Sequence, residues 1–172
     1  SVLSIYPAAD ITIRATGGLC SFYAEKGGMI SAHIRSESDF LEEAVAEFIT
    51  IVKASGARGV ISHHKACGAK NHGKVKRTLK MVEEANAEGY DIYCDVYPYT
   101  AARTTLSASF IPKEYVDGRL AEHLQDPALR ALFRERGLEK WGDDLSWVML
   151  NVCKYDPAYS GKTIDEAAKL HG

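Results

Sequence analysis

Two imidazoles and an amine stand together in the stretch Arg58-Gly-Val-Ile-Ser-His-His-Lys-Ala-Cys-Gly68, and a further imidazole, His33, ends the apolar run Met29 to Ala32. Neutral imidazole nitrogens are borderline ligands suited to zinc. An ammonium such as that of Lys65 holds a carboxylate through charge-assisted hydrogen bonds. Val60 and Ile61 form a short β-branched run between Gly59 and a polar, glycine-containing segment, the pattern of a strand buried on both faces. The strand therefore delivers Ser62, His63, His64 and Lys65 at its C-terminal end. These groups make poor core filling, because each needs a buried partner. In parallel α/β folds that end of the strand is where ligands bind.

Taken alone, His33 reads more readily as a hydrogen-bonded core residue than as a ligand. Paired with His63 it reads differently: the two end neighbouring strands one βαβ repeat apart, so their side chains can converge on one ion. Strand alternation sends His64 to the other side, as a packing or hydrogen-bonding residue, and returns Lys65 to the face of His63. A second reading rests on charge. Lys65, Lys70, His72, Lys74, Lys76, Arg77 and Lys80 form a local basic cluster over residues 65–80, which could bind phosphate or nucleic acid. No G-x-G-x-x-G or Walker sequence accompanies it and no aromatic residues interleave it, so a solvated helix face accounts for most of it.

The elements that must position these groups are legible on both sides. A helix over 17–28 stops at Gly27-Gly28, and a buried strand follows at 29–33. Phe40, Leu41, Ala44, Val45, Phe48, Ile49 and Val52 recur at helical spacing over 38–54, with Ser38 or Asp39 as the expected cap and Ser55-Gly56 as the stop. Strand 58–63, helix 74–88 and strand 91–96 continue the alternation. Two consecutive βαβ units imply a parallel sheet and an α/β fold. Before them, the sequence allows a strand over Val2 to Tyr6 and an extended piece near Ile11 to Ile13.

After Ala101 the alternation fails. Ala101 to Pro112 reads as a long irregular segment, followed by helices near 113–124 and 127–136, the second capped by Asp126. Trp141 to Asp144 reads as a turn, Trp147 to Val152 as a strand, and Thr163 to Leu170 as a helix opened by a Thr163/Glu166 capping box. The expected division is a barrel-type segment at 1–110 and a mostly helical insertion or lid at 111–172. The 172 residues, 46% apolar and 26% charged, suit a globular protein with a real core. A net charge of −2 offers no global field for nucleic acid or anionic membrane. Cys20, Cys67, Cys94 and Cys153 are irregularly spaced, which reads as reduced thiols in a cytoplasmic protein. No signal or membrane-spanning segment is legible.

Three ordered blocks carry a resemblance: Ser31-Ala-His33-Ile-Arg-Ser-Glu37, Ile61-Ser-His63-His-Lys65-Ala, and Asp95-Val-Tyr-Pro-Tyr-Thr100. Together they resemble successive signatures of the N-acyl-D-amino-acid deacylases (D-aminoacylases) of the amidohydrolase superfamily, and Gly161-Lys-Thr-Ile-Asp-Glu-Ala167 resembles the segment ending that family's inserted region. The resemblance implies a partial (β/α)8 TIM-type barrel and a zinc-dependent hydrolase of N-acyl-D-amino acids. Within it, His33 and His63 fall on the metal ligands and Lys65 and Tyr97 on substrate-gripping positions, while Arg35 falls where it could orient the site or hold the substrate carboxylate. The chain departs from the family in lacking a His-x-His motif and a clear bridging cysteine, for which only Cys20 in a helical context is available. Ala102, Arg103 and Thr104 stand where a substrate-contacting serine is expected. The general-base aspartate is expected outside this chain. The chain therefore reads as an internal fragment, inactive alone, whose partners are the small-molecule substrate and either the rest of the barrel or further copies of itself.

Overall fold

A computed structural model of the chain describes residues 2–5 and 13–171, with side chains from residue 18 onward. Two compact units part between Thr100 and Ala101. The first runs β1 (Val2–Ile5), α1 (Ile13–Glu25), β2 (Met29–Ala32), α2 (Leu41–Ser55), β3 (Arg58–Ile61), α3 (Lys74–Ala87) and β4 (Ile92–Cys94). The strands pair in parallel in the order β1-β2-β3-β4. Each pair is joined by a helical crossover, as parallel pairing requires. The result is an open arc of (β/α)-barrel type with four strands, one more than the three that the periodicity marks most clearly. The added strand is β1. Tyr6 and residues 11–12 lie outside the described residues, and Ile13 opens α1 where an extended piece was expected.

One face of the arc is dry. Ile30, Ala32, Ile61 and Ile92 are buried with Leu41, Val45, Phe48 and Val52 of α2 in a continuous apolar cluster. Each large side chain buried there contributes about 1.5–3 kcal/mol of transfer free energy. Gly59 lets strand and helix approach this closely, since a Cβ at that position would stand 2.7 Å from Val52 Cγ2 and 2.9 Å from the Phe48 ring. The row Ser31, Val60, Tyr93 is in register on the opposite face. The site grows from that face.

Helix ends follow the sequence at one terminus and not at the other. α1 stops with Gly27 in the left-handed region, Gly27 N–H donating to Ala24 O and Gly28 N–H to Tyr23 O, a Schellman closure. α2 stops at Gly56 (φ 67°), whose N–H donates to Val52 O. Its start differs from expectation. Phe40 occupies the cap without a side-chain bond, Ser36 Oγ accepts from the N–H groups of Ser38 and Phe40, and the Asp39 carboxylate accepts from Lys70 Nζ and Asn71 Nδ2. An ammonium and an amide from the next loop outcompete the helix N–H groups for that carboxylate.

The second unit is built of α4 (Leu106–Phe110), α5 (Leu120–His123), α6 (Pro127–Trp141), β5 (Met149–Leu150), β6 (Lys162–Thr163) and α7 (Ile164–His171). The single helix expected over 113–124 is broken at Gly118 (φ 88°). Beside it the Asp117 carboxylate accepts from Arg119 and lies against His123, which holds its pKa well below the usual carboxylate range. Asp126 caps α6 as expected, but the helix runs on to Trp141. The strand expected over 147–152 is confined to the two residues of β5, antiparallel to β6. The capping box forms reciprocally: Thr163 N–H donates to Glu166 Oε2 at 2.9 Å and Glu166 N–H to Thr163 Oγ1 at 3.2 Å. Among the described residues no helix is long and apolar enough to cross a membrane.

Candidate metal and substrate site

His33 lies one residue beyond β2 and shares the parity of Ser31, so its exposed ring leaves the sheet on the face away from the helices. His63 lies two residues beyond β3. Because Ala32 is in register with Ile61, strict alternation would place His63 on the helix side, opposite His33. The backbone departs from alternation at that residue: His63 adopts φ 44°, the one non-glycine in the left-handed region among the described residues. Such a conformation costs on the order of 1–3 kcal/mol and persists only where its surroundings impose it. Asp95 does so. Its carboxylate accepts from His63 N–H and its carbonyl from His64 N–H at 2.9 Å, while its own N–H donates to Ile61 O at 3.1 Å.

The reversal brings His33 Nδ1 and His63 Nε2 to 3.0 Å, close to the about 3.4 Å between two ligands each 2.0–2.1 Å from one tetrahedral ion. His64 turns to the helix side, buried, with Nε2 2.9 Å from Thr78 Oγ1 of α3, and burial holds its pKa down. Burial also lowers the pKa of His33, reinforced by His63 and Lys65 and opposed by Glu37. A neutral His33 keeps a lone pair for a cation. The expected grouping, His63 with Lys65 and His64 apart, is thus present, but the left-handed residue produces it and the two-residue period does not.

The site also contains a residue that the sequence reading did not assign. Glu37, in the loop after β2, places Oε2 2.7 Å from Lys65 Nζ and Oε1 2.6 Å from His63 Nδ1, with His33 Nδ1 at 3.8 Å. Oε1 is sealed from solvent and in contact with the His63 ring, yet no donor lies in line with it. His33, Glu37 and His63 offer ligand atoms all within 4.8 Å of one another. Two imidazoles beside an anionic oxygen that lacks an aligned donor are a donor set suited to a cation. No spacing rule marks Glu37, because a carboxylate in a loop before a helix reads as solvated.

Of the substrate-gripping candidates, Lys65 and Tyr97 come together, with Nζ 5.7 Å from the centre of the Tyr97 ring. Lys65 Nζ also donates to His63 O at 2.9 Å. The Arg35 guanidinium is engaged twice with Glu47 of α2, at 3.0 and 2.8 Å. Cys20 is fully buried on α1 in the core. The reading of residues 65–80 as a phosphate or nucleic-acid site finds no support. Lys70 is paired with Asp39, Arg77 with Glu42 and Lys80 with Glu84, and Lys74 Nζ donates to Asp39 O. These cations already hold the molecule's own acceptors.

No protein-family model matches the chain. Over 156 residues, 89% of this chain, it is 38% identical to an N-acyl-D-glutamate deacylase of Alcaligenes xylosoxydans xylosoxydans, of which it covers 31%. It is 30% identical over 166 residues to a D-aminoacylase of the same organism, covering 96% of this chain and 28% of that one. The crystal structure of the N-acyl-D-glutamate deacylase from Bordetella bronchiseptica, complexed with zinc and a phosphonate mimic of the tetrahedral intermediate, superposes with a TM-score of 0.63 at 25% identity, over 96% of this chain and 28% of that one. The chain thus spans less than a third of the length of the relatives it matches. An arc of parallel strands ending in paired histidines, together with these similarities over nearly all of its residues, shows that the chain belongs to the N-acyl-D-amino-acid deacylase (D-aminoacylase) family of the amidohydrolase superfamily.

Proposed function

We propose that this chain supplies zinc ligands and substrate-holding residues to a cytoplasmic hydrolase that cleaves the amide bond of N-acyl-D-amino acids. The observation that carries the proposal is the 3.0 Å approach of His33 Nδ1 to His63 Nε2 at the ends of adjacent parallel strands. A zinc ion bound there supplies Lewis-acid polarisation of the amide carbonyl and acidifies adjacent water. His33 and His63 hold the ion. The Lys65 ammonium, which keeps Glu37 and His63 O on two of its three donors, gives up its contact with His63 Nδ1 to hold the substrate carboxylate with the third. Tyr97 flanks that ammonium, and Arg35 orients the loop between β2 and α2 through Glu47. The general base is supplied by an aspartate outside this chain. In the same reading residues 1–110 are the barrel segment and 111–172 the inserted one, and the remaining barrel strands, or a second copy of the chain, pair with its open edges.

Zinc titration against a chromophoric chelator tests this. The chain should take up zinc and the His33→Ala/His63→Ala double variant should not; equal uptake by both overturns the proposal. The chain alone should not hydrolyse N-acyl-D-amino acids even with zinc added. Turnover should appear only when the rest of the barrel is supplied in trans, and His63→Ala should abolish it.

A further inference from the structure

Resting on the zinc reading of His33 and His63, we propose that Glu37 is a positioning residue: Oε1 selects the His63 tautomer that leaves Nε2 free to face His33, and Oε2 draws Lys65 to the edge of the same site. His63 has two ring nitrogens and two competing neighbours at one of them. Nε2 meets His33 Nδ1 at 3.0 Å. Nδ1 meets Glu37 Oε1 at 2.6 Å and Lys65 Nζ at 3.0 Å. An ammonium has donors only, so a bond from Lys65 requires a bare Nδ1 and places the proton on Nε2, where it would block a metal. A carboxylate only accepts, so Glu37 places the proton on Nδ1 and leaves the Nε2 lone pair for the ion.

Glu37 is built to win that competition. Its second oxygen holds Lys65 Nζ at 2.7 Å, and Lys65 keeps His63 O as a further acceptor, so the ammonium retains two of its three acceptors on giving up Nδ1. Oε1 touches Nδ1 without alignment, so a turn of the imidazole about Cβ–Cγ must accompany the bond. The backbone of Glu37 is tied to the loop that carries Lys65. Cys67 N–H donates to Glu37 O at 2.7 Å, and the buried Asn71 bridges Cys67 O at 2.7 Å and Asp39 Oδ1 at 3.0 Å. These bonds tie the two loops to each other. Metal-bound histidines that donate their second N–H to a carboxylate lose about 10–100-fold in metal affinity when the carboxylate is removed.

The tautomer can be read in the metal-free chain from the imidazole ¹⁵N shifts of His63 at pH 8. The wild-type ring should carry its proton on Nδ1. Glu37→Ala should move it to Nε2, where Lys65 then directs it, and lower zinc affinity about 10–100-fold. Glu37→Gln, which keeps an acceptor oxygen at the same reach, should restore the Nδ1–H tautomer and most of the affinity. A wild-type His63 protonated on Nε2 overturns the inference without any variant, and so does unchanged zinc affinity in Glu37→Ala. Absence of zinc uptake by the wild-type chain is a different failure, that of the zinc reading itself.

Discussion

The two units differ in what orders them. In the first, apolar side chains from three strands and a fifteen-residue helix close on one another: Phe48 is 2% exposed, and Leu41, Val45, Val52 and Ile61 are fully buried. In the second, Phe133 is the one large apolar side chain that is buried, among the described residues. Order there comes from small aromatic groups, Tyr115 with Phe133 and Trp141 with Trp147 at ring-centre distances of 5.2 and 5.4 Å, and from side-chain caps at Thr105, Asp126, Asp156 and Thr163. A shared apolar core makes its elements cooperative, whereas caps act on one helix end at a time. A chemical site needs the former, because side chains from different elements must be held within a few tenths of an ångström.

The sharpest way to break the contrast is to empty each core in turn. Phe48→Ala should cost about 3–5 kcal/mol and melt the parallel sheet as a whole, read as a lowered urea midpoint by circular dichroism. Phe133→Ala should leave the amide-exchange protection of α2 and β3 unchanged. Equal loss of protection in both units would show that they fold as one.

Filling space should do less than emptying it. Gly59→Ala forces a methyl against Val52 and Phe48 and should cost about 1–3 kcal/mol, with slowed zinc uptake if the strand end bearing His63 shifts. Retained stability would show that α2 can withdraw from the sheet. On the other side of the comparison, Thr163→Ala should cost about 1 kcal/mol, confined to exchange rates in the first turn of α7.

The smallest effect is chemical. Burial, helped by Asp95, pushes the Cys94 thiol up to about 11. At pH 8 Cys94 should therefore alkylate far more slowly than Cys153, a comparison readable by mass spectrometry after brief iodoacetamide treatment. Faster labelling of Cys94 would mean that the end of β4 opens readily.

Periodicity and punctuation alone determine much of this protein. The helical spacing from Leu41 to Val52, the stops at Gly27 and Gly56, the Asp126 cap and the Thr163/Glu166 box are local features, set by residues within a turn or two of each other, and they form as read, whereas Phe40, read on the same face, stands exposed at the cap. The alternation of strands and helices likewise points to the parallel sheet, since parallel neighbours need connections of helical length. Tertiary structure decided the rest where distant groups compete. Asp39 forsakes the helix start for Lys70 and Asn71, and Gly118 breaks a helix that composition alone would continue. Glu37 becomes part of the site only because two loops are tied together, a contact without any sequence period. His63 faces His33 because Asp95, one residue beyond the end of the next strand, holds it in a left-handed conformation that alternation does not anticipate. The residue types at the site were legible because imidazoles at strand ends are poor core filling. Their orientation was not, because a single φ angle imposed from a neighbouring strand reverses the face on which a side chain emerges.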